Sequence, residues 1–168
     1  MKRLFANRFI ILFLMMCMSV SIKAQKKDSS GVNAKNTIYF EMIGHGGLYS
    51  VNYERVFHSK SVLRGGLSYL NTSSDAILSF NYISIPLSAS KLFPTDKDSF
   101  FEIGMFTSIF FHFDYNDLDS WIGINLGFRE QDLFEPRRMV RFFVSPFYIP
   151  GSENKFGLTG GLAFGSGF

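Results

Sequence analysis

The sequence ends in the twelve residues Gly157-Leu-Thr-Gly-Gly-Leu-Ala-Phe-Gly-Ser-Gly-Phe168, which indicate the fold of the chain. Its even positions include Leu158, Leu162, Phe164 and Phe168, whereas its odd positions hold only Gly, Thr and Ala. A period of two residues is that of a β-strand, here with one bulky apolar face and one small face. Phe168 therefore belongs to the bulky face.

The same alternation recurs in seven upstream segments, which are separated by clusters of turn-forming residues. In Ile122–Phe128, for example, apolar side chains at even positions oppose Gly123, Asn125 and Gly127. No segment after the first 36 residues shows a helical period, so the sequence predicts an all-β chain. The predicted strands are Thr37–Ile43, Leu48–Phe57, Val62–Leu70, Tyr82–Phe93, Phe100–Phe113, Trp121–Glu130, Met139–Tyr148 and Gly157–Phe168.

The small face decides between two all-β architectures. A soluble sandwich or lipocalin-like barrel buries its bulky face and carries long charged side chains on the other. Here the other face is rich in Gly and Ser, which suits the narrow interior of an eight-stranded barrel whose bulky side chains face lipid. The segment lengths also match a tilted membrane strand. We therefore predict a transmembrane antiparallel up-and-down β-barrel of about eight strands over residues 37–168.

Aromatic residues near the segment ends fit the girdles that membrane barrels carry at the two interfaces. These residues are Tyr49, Tyr69, Tyr82, Trp121, Tyr148 and Phe168. We expect Phe168 to be the C-terminal assembly signal, recognised by the barrel-assembly machinery during insertion. Outer-membrane lipid is the second expected partner, and we expect a monomer.

Residues 1–24 have the organisation of a secretory signal peptide. A basic start is followed by the apolar run Phe9–Val20 and by the small residue Ala24. The run is shorter than the roughly 20 residues that a membrane-spanning helix needs. We predict cleavage after Ala24, with neighbouring bonds left open because Ile22 is unusual so near the cut. A polar, flexible lead-in over residues 25–36 then precedes the barrel.

Removing the leader changes the charge of the chain. The full sequence has 17 Lys and Arg against 14 Asp and Glu, and the leader holds four of the bases and none of the acids. The mature chain therefore has 13 bases and 14 acids, a net charge of −1, which removes the argument for nucleic-acid binding. The single cysteine, Cys17, also lies in the leader, so the mature chain has no thiol.

Several short motifs resemble a known family. They are Thr37-Ile-Tyr-Phe-Glu41, Gly47-Leu-Tyr-Ser-Val-Asn-Tyr-Glu-Arg55, Ile83-Ser-Ile-Pro-Leu87, Phe101-Glu-Ile-Gly104, Ile122-Gly-Ile-Asn-Leu-Gly-Phe-Arg129 and the ending Gly160–Phe168. In these residues the chain resembles small, mostly uncharacterised outer-membrane β-barrel proteins of the eight-stranded type. The resemblance covers nearly all of the mature chain. It implies the fold and an outer membrane of the Gram-negative type, and it implies no activity.

Six charged residues fall on the small, inward face of the predicted strands: Glu41, Glu54, Arg64, Glu102, Arg129 and Arg141. With a periplasmic amino terminus, five of them lie toward the periplasmic end, and Glu41 lies past the middle of a short first strand. Desolvated charges need partners, and the three acids match the three bases. We therefore predict a charge-paired layer that plugs the lumen. The predicted lining above it is Ser50, Ser68, Ser84, Ser108, Phe106, Phe110, Phe143 and Phe147.

These features favour a non-enzymatic barrel with a structural or surface-interaction role in the envelope, without a cofactor or a metal ion. Two other functions stay open. A lipid- or peptide-modifying enzyme would use His45 or His112 near the outer rim, with Ser50 close by, although the chain lacks a Gly-x-Ser-x-Gly motif. A narrow channel for small solutes would need a path through the charge layer.

Two further sets of residues bear on metal binding. The acid-rich segment Asp114–Asp119 lacks the glycine and the terminal glutamate of a calcium loop, so we interpret it as a solvated outer loop. His58 falls at a predicted periplasmic turn, away from His45 and His112. The three histidines are therefore not expected to share a metal ion.

Overall fold

Alternating burial along eight strands determines the architecture of the chain. The computed structural model describes residues 35–57, 60–71, 81–113, 117–131, 138–151 and 156–168. The strands are β1 (Asn36–Gly44), β2 (Gly47–Val56), β3 (Ser61–Asn71), β4 (Asn81–Pro94), β5 (Ser99–His112), β6 (Asp117–Gln131), β7 (Arg138–Tyr148) and β8 (Phe156–Gly167). Consecutive strands pair antiparallel and β1 also pairs with β8, so the sheet closes into an up-and-down barrel.

The all-β, eight-stranded antiparallel barrel predicted from the sequence is confirmed, with changes at the strand ends. β6 changes most, because it begins at Asp117 and not at Trp121. Asp117 and Asp119 pair with the end of β5, so they lie in a strand and not in the predicted outer loop. Residues 114–116 of that loop lie outside the described residues, as do the predicted signal peptide and positions 25–34 of the lead-in.

The strands are steeply tilted in the barrel. We call the end where β1 begins the near end, and the end that holds the β1–β2 turn the far end. Directly paired residues can be followed from strand to strand once around the barrel. Such a path starts at Ser166 of β8 and returns to β8 at Phe156, ten residues away. With eight strands, this stagger tilts each strand by about 40° from the barrel axis. A strand of about 11 residues then rises roughly 28 Å along that axis.

The bulky apolar side chains lie on the outside of the barrel. Leu67, Met105 and Leu158, for example, are 57, 65 and 71 % exposed. Along β7, every second side chain is buried from Met139 to Phe147, while the alternate positions are exposed. In the described part of the chain, exposed large hydrophobic residues outnumber buried ones. The barrel is therefore apolar outside and more polar inside.

Apolar side chains do fill the near end of the interior. Val56, Val62, Leu92 and Phe100 form one buried cluster at the near-end positions of β2 to β5. A second buried cluster contains Tyr39, Met139 and Ala163. The first cluster lies on the near side of the charged residues described below, whereas Ala163 of the second pairs directly with two of them, Glu41 and Arg141.

Phe168 extends the closure between β8 and β1. Its N–H donates to the carbonyl oxygen of Asn36 at 2.8 Å, and the Asn36 N–H donates to the carbonyl oxygen of Phe168 at 3.1 Å. The side chain of Phe168 is exposed, like that of Phe164 on the same face.

Two of the six aromatic residues predicted for the girdles point inward. Tyr82 is 5 % exposed, and Trp121 stacks on Phe147 with ring centroids 4.4 Å apart. Trp121 pairs directly with the buried Ser108, and paired residues share a face of the sheet. The girdle prediction is wrong for these two residues, because proximity to a strand end does not determine which face a side chain occupies.

Candidate functional site

The six charged residues predicted for the interior all point into the barrel. Five of them lie third or fourth from the near end of their strands, and Glu41 is the sixth residue of β1. Their exposure lies between 0 and 6 % for Glu41, Glu54, Arg64, Glu102, Arg129 and Arg141. We call this set the charge layer.

One half of the charge layer joins β6, β2 and β3. Arg129 Nη2 lies 2.6 Å from Glu54 Oε1, and Arg64 Nε lies 2.6 Å from Glu54 Oε2. Glu54 and Arg64 are direct neighbours on paired strands, whereas Arg129 reaches Glu54 across the lumen. One carboxylate thus bridges two guanidinium groups.

The other half continues from Arg64 through β5 and β7 to β1. Both Nη atoms of Arg64 donate to the carboxylate of Glu102, with Nη2 and Oε2 2.5 Å apart. Arg141 Nε lies 3.2 Å from Glu102 Oε2, and Arg141 Nη1 lies 3.3 Å from Glu41 Oε2. The complete chain alternates in sign, in the order Arg129, Glu54, Arg64, Glu102, Arg141, Glu41.

The small side chain of Ala163 allows the series of ion pairs to reach β1. Arg141, Ala163 and Glu41 form one row across β7, β8 and β1. Ala163 is completely buried, and its methyl group leaves room for the guanidinium to pass over it. A larger side chain at this position would occupy the space between Arg141 and Glu41.

The strand register also places two like charges opposite each other. Arg129 and Arg141 are directly paired on β6 and β7, and like charges in this position repel. They separate because Arg129 binds Glu54 while Arg141 turns to Glu102. Nε and Nη1 of Arg129 are buried without a hydrogen-bond partner among the described residues, so this arginine is held less completely than Arg64.

Uncharged polar residues that were not predicted as site residues complete the layer. Asn125 Oδ1 accepts from Arg141 Nη2 at 2.8 Å, and its Nδ2 donates to Glu102. Arg129 donates to Gln131, whose Nε2 donates to Thr37 Oγ1 at 3.0 Å. The inward parity of these positions could have identified Asn125. Gln131 was missed because the predicted sixth strand ended at Glu130, whereas β6 includes Gln131.

The far half of the lumen is occupied by the β1–β2 turn itself. We call residues 44–47 the tip. Met42 and Ile43 are both exposed, as are Leu48 and Tyr49, so the alternation breaks once on each strand. Ile43 has a φ of 50° and Gly47 a φ of 95°. These breaks bend the tip inward, where His45 is 3 % exposed.

The imidazole of His45 lies among interior side chains. Its ring centroid lies 4.0 Å from that of Phe106 and 4.6 Å from that of Phe143. Nε2 lies 3.0 Å from Ser145 Oγ, and the His45 N–H donates to Glu41 Oε1 at 2.9 Å. Burial, reinforced by the positive charge of Arg141, lowers the pKa of His45 well below its usual value. The ring is therefore neutral.

Small residues leave space for the rest of the tip. Ser84 Oγ donates to the carbonyl oxygen of Gly46 at 2.8 Å. A Cβ at Gly46 would lie 2.6 Å from Cβ of Ser50, and a Cβ at Gly47 would collide with the hydroxyl group of Tyr82. The predicted lining residues of this region are all buried: Ser50, Ser68, Ser84, Ser108, Phe106, Phe110, Phe143 and Phe147.

The residues considered for catalysis do not form a hydrogen-bonded set among the described residues. His45 hydrogen-bonds with Ser145, while His112 lies 3.3 Å from Asp119 and has its ring beside that of Tyr82. Ser145 is completely buried, so the Ser145–His45 pair is closed to a substrate in this conformation. His58 lies outside the described residues. Within the described ranges, no three His, Cys, Asp or Glu side chains are placed to hold a metal ion.

Comparisons with known proteins add no relative. The chain matches no protein-family model, no curated protein and no solved structure. Across the part of the chain that the structure describes, no helix is long and apolar enough to cross a membrane.

Proposed function

We propose that this chain is a non-enzymatic integral outer-membrane β-barrel protein with a plugged lumen and a structural or surface-interaction role in the cell envelope. The observation that carries the proposal is the reversal of polarity across the barrel wall. Large apolar side chains cover the outside, while six charged side chains are buried inside. In water, such a surface would expose far more contiguous apolar area than a soluble monomer carries.

The dimensions of the barrel support the same proposal. A rise of roughly 28 Å per strand compares with an outward apolar band of about 25 Å in membrane barrels. Closure between β1 and β8 also satisfies a requirement of the bilayer, which tolerates no open sheet edge in its hydrocarbon region. In this proposal the near end is periplasmic and the far end faces outward.

The expected partners follow from this placement. Bilayer lipid surrounds the outward side chains, and the assembly machinery recognises the terminal Phe168 during insertion. The protein works as a monomer, reaches the envelope through a signal peptide over residues 1–24, and needs no cofactor. Deleting Phe168 should reduce the amount of inserted barrel, whereas Phe164→Ala, an equally exposed aromatic on the same strand, should not. Equal assembly of both variants would remove that role from Phe168.

The polarity reversal is tested by fractionation. The mature chain should be found in the outer-membrane fraction, require detergent for extraction, and migrate differently on a gel before and after heating. A mature chain that is soluble and monomeric without detergent would disprove the proposal.

The plugged lumen and the absence of catalysis need separate tests. In planar bilayers the purified protein should give no stable open-channel current, because charge pairs and apolar clusters fill the near half of the lumen. A reproducible conductance would identify a narrow channel instead. For the enzyme alternative, His45→Ala and His112→Ala strains should keep an unchanged composition of lipid A and phospholipids. An altered composition in either strain would show catalysis.

A further inference from the structure

We propose that the far half of the lumen contains a binding site for a planar nitrogen heteroaromatic ring, and that His45 of the tip occupies this site as a removable stopper. The inference rests on the proposed function only in taking the far end as the side that faces outward. A ring-bearing molecule from outside would then compete with the imidazole of the protein itself.

The contacts of His45 define the chemistry of the site. Phe106 stacks on the imidazole with an interplanar angle of 22°, and Phe143 contacts it at 38°. Ser145 Oγ hydrogen-bonds to Nε2 and lies 3.3 Å from Asn125 Oδ1. Aromatic faces favour a planar ring, and a hydroxyl group at its edge favours a ring nitrogen. A saturated ring or a charged group would lose one or both of these interactions.

The strand pairing and hydrogen bonds of the tip favour its release from the lumen. Pairing between β2 and β3 ends toward the far end at Val51 and Leu67 in the described part of the chain, so the tip is not joined to β3 by the sheet. Among the described residues, its backbone is hydrogen-bonded from the His45 N–H to Glu41, from Ser84 to the Gly46 carbonyl oxygen and, at 3.4 Å, from Thr159 to the Gly44 carbonyl oxygen. Ile43 adopts a left-handed conformation that β-branched residues avoid, and this strain is relieved when the tip unbends.

Two hydroxyl groups provide an independent observation. Ser68 Oγ and Ser108 Oγ are buried in the far half of the lumen and have no hydrogen-bond partner among the described residues. A buried hydroxyl group without a partner is destabilising. Water or a polar ligand that entered after the tip had left would satisfy both groups, so they oppose the closed form.

Departure of the tip would not open the barrel from end to end. His45 contacts the charge layer through its backbone N–H to Glu41, while the pairs Arg64–Glu54 and Arg64–Glu102 do not involve the tip. The apolar cluster of Val56 and its neighbours lies beyond them at the near end. The site is therefore a vestibule that is closed at its near end.

The test uses cysteine reporters, because the mature chain has no cysteine of its own. Ser108→Cys replaces a hydroxyl group that makes no hydrogen bond, and it is labelled in detergent with a water-soluble thiol reagent. With His45 in place the reporter should be protected. His45→Ala should raise its labelling rate by about tenfold, because the vestibule then opens more often. Rapid labelling with His45 in place would overturn the proposal.

Ring specificity is tested by adding a small molecule to the His45→Ala protein. Imidazole, at a pH above about 8 where it is neutral, should restore protection of the reporter and raise the Tm by about 2–5 °C. Tetrahydrofuran, a saturated ring of similar size, is the matched control and should do neither. An imidazole effect no larger than that of tetrahydrofuran would exclude a ring-binding site.

A second variant covers the case in which His45→Ala fails to fold, which would abolish heat-modifiable migration. Ser145→Ala keeps the packing and removes the hydrogen bond to the ring together with the 3.3 Å contact to Asn125 Oδ1. The labelling rate should rise severalfold, by less than in His45→Ala. An unchanged rate would contradict the role of Ser145. Bilayer recording separates the two proposals. Faster labelling of the reporter in His45→Ala, with no conductance, supports both, whereas conductance in the parent protein rejects the plugged lumen alone.

Discussion

The two halves of the lumen are built on opposite principles. In the near half, six charges neutralise one another through short contacts, and an apolar cluster lies on their near side. In the far half, a bent tip rests against serine and phenylalanine side chains with few hydrogen bonds and two unpartnered hydroxyl groups. Side chains can therefore fill a lumen without holding its strands in a fixed arrangement. The near half fixes the barrel, and the far half is filled by a part that can move.

Removal of Arg64 tests the near half most severely. Arg64 contacts Glu54 and Glu102 through three nitrogen atoms, so Arg64→Ala leaves both carboxylates with one base fewer. Breaking a buried ion pair from one side costs about 3–5 kcal/mol. The free energy of unfolding in detergent, measured by urea titration, should fall by that amount.

Lys91→Ala is the matched control, since Lys91 is a base on the outward face near the same end of the barrel. Its loss should change the free energy of unfolding by less than about 0.5 kcal/mol. Equal losses for the two variants would show that the charge layer contributes nothing beyond ordinary surface charges.

Ala163→Leu tests the near half by adding side-chain volume, and it changes no charge. The longer side chain would fill the space through which Arg141 reaches Glu41. Overpacking costs about 1–3 kcal/mol, and we expect a loss of about 2–3 kcal/mol because the ion pair is strained as well. Leu162→Ala, at the neighbouring exposed position, should change the stability less. An Ala163→Leu protein of unchanged stability would show that the contact between Arg141 and Glu41 does not require a small residue at position 163.

The sequence predicted the near half better than the far half, for a physical reason. A period of two residues determines the face of each side chain, and this was enough to place Arg64 or Glu102 inside. It does not determine which charge meets which, because the contacts depend on the ten-residue stagger around the barrel. In the far half the period also placed the lining serines and phenylalanines inside, but it fails at the tip. Ile43 and Leu48 break the alternation, so burial of His45 could not be deduced from parity.

A fall in pH should destabilise the tip in the far half of the lumen, because the tip contains His45. Above the ordinary His pKa of about 6.5, the imidazole of His45 is neutral whether the tip is tucked in or released. Because the tucked form has a lowered pKa, acid protonates the released form first. The charged groups near the ring include Arg141, Arg64 and Glu102, and the two arginines oppose a third positive charge. The tucked form should therefore lose stability as the pH falls below about 6.5, by up to about 1.4 kcal/mol per pH unit.

The measurement is labelling of Ser108→Cys between pH 8 and pH 5, corrected for the pH dependence of the thiol reaction with a free peptide. Protection should decrease toward acid. His45→Ala should remove this trend, which separates the effect of His45 from that of other groups. A trend that persists in His45→Ala would assign the effect elsewhere.

Glu41 joins the two halves, and its replacement should have the smallest effect. Its Oε2 binds Arg141 in the charge layer, and its Oε1 accepts the N–H of His45 in the tip. Glu41→Gln keeps an acceptor for the tip and removes only the charge, while Arg141 retains Glu102. We therefore expect a loss of about 1 kcal/mol in the free energy of unfolding with unchanged protection of Ser108→Cys. Glu41→Ala should lose the acceptor too, and so increase labelling. If Glu41→Gln alone exposed the reporter, the charge layer and the tip would act as one unit, and the division of the lumen into a fixed and a movable half would be wrong.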